Sequence, residues 1–164
     1  MKKYSREDQR TMAVWALDCA ERVLHLFEDV CPDDSRPRAA LEAGREWVRT
    51  GEFSMAVIRK ASLDAHAAAK DVKDREAAAC EAAHAAGQAV ATAHVPQHAY
   101  GGAWYALKAI AATGGEDVLQ RLSVEREWQA HQLPGHLRDE VMDRIQIEER
   151  RTGPFIRMIK GPGF

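Results

Sequence analysis

Residues 91–110 read ATAHVPQHAYGGAWYALKAI, and the way this stretch divides decides the fold. Its flanks are alanine-rich and helix-forming, but Pro96 cannot donate to the carbonyl of Thr92 and its ring crowds that turn. One helix therefore ends near Ala93 and another restarts at about Pro96. His94 then falls in a C-terminal turn and His98 in a first turn, so their spacing does not put two imidazoles on one unbroken face. Both are expected to act as fasteners, His94 donating to orphan carbonyls and His98 bonding a neighbouring backbone group or acid. Gly101-Gly102 sits inside the second helix with no strand before it, which suits close helix packing better than a phosphate cradle.

Upstream, Asp74 opens the helix that ends near Ala93, and Ser54 caps an earlier one carrying Met55, Ile58, Ser62, Ala65 and Ala69. Before that, Pro37 suits the first turn of a helix running to Thr50-Gly51, with Asp34 or Ser35 as cap. The first helix starts at Ser5. Its Met12, Trp15, Cys19, Val23, Phe27 and Val30 recur every three or four residues until Cys31-Pro32. Downstream, Thr113-Gly114-Gly115 closes the fifth helix, and Glu116-Asp117 begin a sixth that Leu133-Pro134-Gly135 breaks. A seventh, marked by Leu137, Val141, Ile145 and Glu148, is expected to end near Gly153. No stretch alternates apolar and polar residues over a strand's length, so no sheet is expected.

The expected fold class is all-α: a single-domain bundle of about six to seven helices over residues 1–164, with a helical core over about 5–150. A non-helical apolar tail, 151–164, completes it, because two Gly-Pro pairs prevent a continuous helix. Phe155, Ile156, Met158 and Ile159 are too apolar to float freely, so the tail either packs back on the bundle, the favoured reading, or engages a partner.

Composition narrows the function classes. A net charge of −2, with acids and bases interspersed, argues for no nucleic-acid partner and no membrane partner. MKKYSREDQR lacks the apolar run of a secretory signal, and no segment is apolar enough to span a bilayer. Cys19, Cys31 and Cys80 are odd in number and scattered, as expected of reduced thiols in a cytoplasmic protein. Residues 61–112 hold 21 alanines, whose methyl-sized side chains let helices approach closely and leave little interior volume for a cofactor or substrate. No cofactor is expected.

Four histidines remain as candidate metal ligands: His94 and His98, with His66 and His84 on adjacent alanine-rich helices and Asp64 and Glu81 nearby. Without HExxH or clustered cysteines the favoured expectation is no metal, and the fastener role stands ahead of it. Asp33, Asp34, Arg36 and Arg38 form a charged corner that is either a partner surface or a capped helix start with local ion pairs. No serine has a GxSxG context and no cysteine a histidine motif, so no catalytic set assembles and the chain is not expected to be an enzyme.

Several strings together resemble a known family: WALDCAERVL (15–24), PDDSRPRAALEAGREWVRTGE (32–52), AHAAAK (65–70), AAGQAVATAHVPQHAYGGAWYALKA (85–109) and EREWQ…LPGHLR (125–138). They are similar to the immunity proteins of bacterial polymorphic-toxin systems, small α-helical proteins of which some carry exonuclease-type names. The resemblance implies a cytoplasmic protein that binds and neutralises a cognate toxin. The family pattern has a histidine where this chain has Gln88, an amide that keeps a hydrogen bond but ligates zinc poorly.

Two functional readings follow. The first is an inhibitor that occludes a toxin's active site through surface complementarity, by way of the corner Asp33–Arg38 or the tail residues Phe155 and Met158. The alternative is a metal-binding helical bundle or metal-dependent hydrolase using His94 and His98 with His66 or His84. A third possibility is a homo-oligomeric scaffold with no enzymatic role.

Overall fold

Seven helices followed by one hairpin make up the described part of the computed structural model, residues 4–161; residues 1–3 and the tail end 162–164 lie outside it. The elements are α1 (Arg6–Glu28), α2 (Arg36–Thr50), α3 (Met55–Val72), α4 (Ala77–Ala91), α5 (His98–Thr113), α6 (Val118–His131), α7 (Gly135–Met142), β1 (Ile145–Arg150) and β2 (Gly153–Met158). The helical expectation holds as far as Met142, and three of the starts follow the capping chemistry, whereas the start expected at Asp74 falls at Ala77, where Glu76 makes no side-chain cap bond. Ser5 Oγ accepts from the Asp8 amide at 3.0 Å, and Ser54 Oγ accepts from Val57. At α2 the side-chain cap is Asp34, whose Oδ1 accepts from the Arg36 amide at 3.1 Å, while Ser35 makes no such bond.

Helix α4 lies at the centre, packed against α5, α3, α1 and α2. Ala79, Ala82, Ala83, Ala85, Ala86 and Ala89 are all buried there, so its neighbours meet backbone and methyl groups on nearly every side. Gly102 serves the same end on α5: a Cβ there would stand 3.1 Å from the Ala16 Cβ of α1. The bulky groups fill the flanks, where Trp15 Nε1 donates to the Gln129 carbonyl at 2.9 Å and ties α1 to α6. Glu125 is only 5% exposed and holds Arg22 at 2.9–3.0 Å, with the Arg22 guanidinium 4.0 Å above the Trp128 ring.

The C-terminal part departs from expectation. The seventh helix stops at Met142, and the residues expected to continue it to Gly153 form β1, paired antiparallel with β2. The cause is a competition of periods: Ile145 fits both the helical series from Leu137 and a two-residue alternation with Ile147. The second wins because Gly153, at φ 114°, adopts the positive φ that closes a tight turn after Arg151-Thr152. The tail is thus non-helical as expected, but it is a strand, with Ile147 opposite Ile156 and Ile145 opposite Met158. Ile145 and Ile156 are buried against the bundle. Arg126 Nε donates to the Ile145 carbonyl at 2.9 Å and Trp104 Nε1 to the Ile156 carbonyl at 2.8 Å, so each strand is pinned to a different helix.

Candidate functional site

Of the seven histidines, three are joined through Gln88 across adjacent helices: His66 on α3, His84 on α4 and His98 at the start of α5. His98 Nδ1 lies 2.7 Å from Gln88 Oε1, which can only accept, so His98 donates. The Gln88 amide nitrogen reaches toward His66 Nε2 at 3.5 Å, and His66 Nδ1 lies 2.7 Å from His84 Nδ1. A neutral imidazole carries one N–H, so acceptance at His66 Nε2 makes His66 Nδ1 the donor to His84. The result is a directional chain, His98 to Gln88 to His66 to His84, in which Gln88 turns the relay between helices. His84 then rests against Tyr105, with ring centroids 5.0 Å apart.

Two glycines make room for this chain. A Cβ on Gly87 would meet the His66 ring at 2.9 Å, and one on Gly101 would meet Gln88 Oε1 at 2.7 Å. Burial keeps the imidazoles neutral by withholding water from the charged form. It pushes His66 down to about 4, with His84 and Lys70 adding repulsion. His84, His94 and His98 are lowered chiefly by the same burial.

The helix junction is fastened differently from expectation. The orphan carbonyls of Thr92 and Ala93 are taken by Gln9 of α1, whose Nε2 donates to them at 2.9 and 3.0 Å. His94 instead lies 5.1 Å, centroid to centroid, from His98, and its buried Nδ1 has no hydrogen-bond partner. His98 does start α5, as the proline break requires. Among the described residues no three His, Cys, Asp or Glu side chains converge where they could hold a metal ion. Asp64 is paired with Lys60, and Glu81 with Lys108 at 2.8 Å.

The relay's His98–Gln88 end opens into a groove of about 800 Å³ between α5 and the hairpin. Gly101, Trp104 and Tyr105 form its α5 wall; Phe155, Ile156 and Met158 form the other. Both tail residues expected to meet a partner therefore line one surface, Phe155 at 42% exposure and Met158 half-buried. The charged corner is elsewhere and engaged with itself. Arg36 binds Asp34 at 2.6 Å and Asp71 of α3 at 2.7 Å, while Arg38 binds Glu28 at 2.8 Å and Glu21 at 2.5 Å. These guanidiniums hold Asp34 and Glu28 below the usual carboxylate range. Asp33 beside them is exposed.

Sequence reading did not single out Gln88 as a hub, nor Trp104 and Tyr105 as a wall. The available signal was that His84 and Gln88 stand four apart on one helix, hence on one face.

Helices closed on methyl contacts, imidazoles bonded to one another and an open groove under a hairpin define a mostly helical protein whose polar groups lead toward its surface. The family described as Imm-5 like putative immunity protein matches residues 2–136. The chain belongs to that family. The match runs from α1 into α7, so the α5 wall of the groove lies inside it and the hairpin wall beyond it. Comparison with curated proteins and with solved structures gives no match.

Proposed function

We propose that this protein binds a cognate bacterial toxin in the cytoplasm and neutralises it by covering the toxin's working surface, without catalysing a reaction. The observation that carries the reading is the immunity-protein family match over residues 2–136. Two features of the molecule support it. Titratable side chains facing one another in the alanine-rich centre are paired, His66 with His84 and Lys108 with Glu81. The apolar side chains offered to solvent at the groove, Phe155 above all, suit the anchors of a protein interface, which typically buries ~1,200–2,000 Å². No helix among the described residues is long and apolar enough to cross a membrane.

The test is co-expression with the toxic product of the adjacent gene. Growth rescue together with a co-purifying complex is the expected result. Absence of both would overturn the reading.

A further inference from the structure

We infer that the groove between α5 and the hairpin receives an acidic segment of the toxin that carries an apolar or aromatic anchor. This rests on the toxin-binding reading and assigns it a place and a chemistry.

Three observations converge. The groove's volume, about 800 Å³, is in the range that encloses a ligand or an inserted group of side chains. Its walls are aromatic and aliphatic, with Trp104, Tyr105 and Phe155 around Met158 and Ile156, the surroundings in which an interface anchor is best desolvated. Charge then selects the partner's sign. Arg150, Arg157 and Lys160 line the groove, and among the described residues no carboxylate side chain does. The asymmetry extends over the hairpin, where Arg150, Arg151 and Arg157 outnumber Glu148 and Glu149 on a chain whose net charge is −2. Glu148 pairs with Arg150 at 2.7 Å and Arg157 at 2.6 Å, so one carboxylate orders two guanidiniums and leaves excess positive charge. The imidazole at the inner end, His98, is kept neutral by burial and donates to Gln88, so it contributes a polar floor without adding charge.

The mode of entry also follows. The β2 edge facing the groove cannot accept an added strand, because Trp104 already occupies the Ile156 carbonyl and Pro154 has no amide. The partner's side chains must therefore carry the contact.

Two exposed substitutions test this without touching the core: Phe155→Asp and Arg157→Glu, with Asp33→Lys as the control, each checked for an unchanged circular dichroism spectrum. Binding of the adjacent gene's product is measured by calorimetry. Phe155→Asp is expected to weaken the complex at least ~30-fold and Arg157→Glu about tenfold, with the control unchanged. If the wild-type protein forms no complex, the toxin reading itself fails. If it binds and both groove variants bind within twofold of it, the groove assignment is overturned while the toxin reading stands. A second arm needs no toxin. The peptide Ac-Asp-Glu-Phe-Leu-Asp-Glu-amide should shift the Trp104 indole N–H resonance, and its lysine counterpart Ac-Lys-Lys-Phe-Leu-Lys-Lys-amide should not. Equal responses to the two peptides, or a wild-type dimer that Phe155→Asp dissolves, would overturn the acidic occupant.

Discussion

The alanine-rich centre and the C-terminal hairpin solve opposite problems. Helices α3, α4 and α5 bury small side chains against one another and join three imidazoles and one amide in an internal relay. The hairpin buries only one face, through Ile145 and Ile156, and spends its other residues on charge and exposed aromatic surface. Its attachment is correspondingly sparse: the Trp104 and Arg126 bonds to its outer carbonyls and the apolar face beneath. The contrast separates a frame, which must fit itself, from a face free to fit something else. The family match divides the molecule at nearly the same place, covering the helices as far as residue 136 and leaving out both strands.

The largest expected effect strikes the frame. Gly102→Leu would drive a branched side chain toward the Ala16 Cβ and the Ala16 backbone carbonyl, 3.1 and 3.5 Å from where its own Cβ must sit. Backbone cannot yield as a flexible side chain does, so a loss of about 3 kcal/mol is expected in urea denaturation. A loss below ~1 kcal/mol would mean that the centre is looser than its methyl contacts imply.

This frame is the part legible in the sequence. Apolar spacing of three and four, capping serines at Ser5 and Ser54, and Pro96 between two alanine runs suffice to place the helices, because those signals act within one turn of chain. The hairpin was not legible, since six residues that satisfy two periods at Ile145 carry too little pattern to choose between them. The relay was only half legible. Its histidines stand out as residue types, but their partner Gln88 and the clearances at Gly87 and Gly101 are tertiary facts. Gln9 shows the same limit, fastening a junction more than eighty residues away where local reasoning assigns His94.

The second effect is acid lability of the centre. His66 titrates near 4 when folded and near 6.5 when unfolded, so between those values the unfolded chain takes up a proton that the folded protein refuses. Stability should be flat above pH 6.5 and fall on acidification toward pH 4, on the order of tenfold in the folding constant after discounting for solvent screening. His84, His94 and His98 act in the same direction. His66→Gln should flatten the slope of urea midpoint against pH; an unchanged slope would remove the relay from the explanation.

The third effect is confined to the face. Trp104→Phe keeps the aromatic wall but removes the donor to the Ile156 carbonyl. The lost bond is worth about 1 kcal/mol, so amide exchange in β1 and β2 should quicken about fivefold while α4 amides hold their protection. Equal acceleration in α4 would join the two regions into one cooperative unit.

The smallest effect sharpens the division most. Arg36 links the start of α2 to Asp34 beside it and Asp71 on α3, which assigns the charged corner to the frame despite its polar appearance. These pairs reach solvent, where the attraction is screened and the ordering of a long side chain offsets much of what remains. Arg36→Ala should therefore lower stability by under ~1 kcal/mol, less in 0.5 M salt, and leave toxin affinity within twofold. A tenfold fall in affinity with stability unchanged would place recognition on the corner, and the hairpin would then be reduced to a cover for the α5 wall.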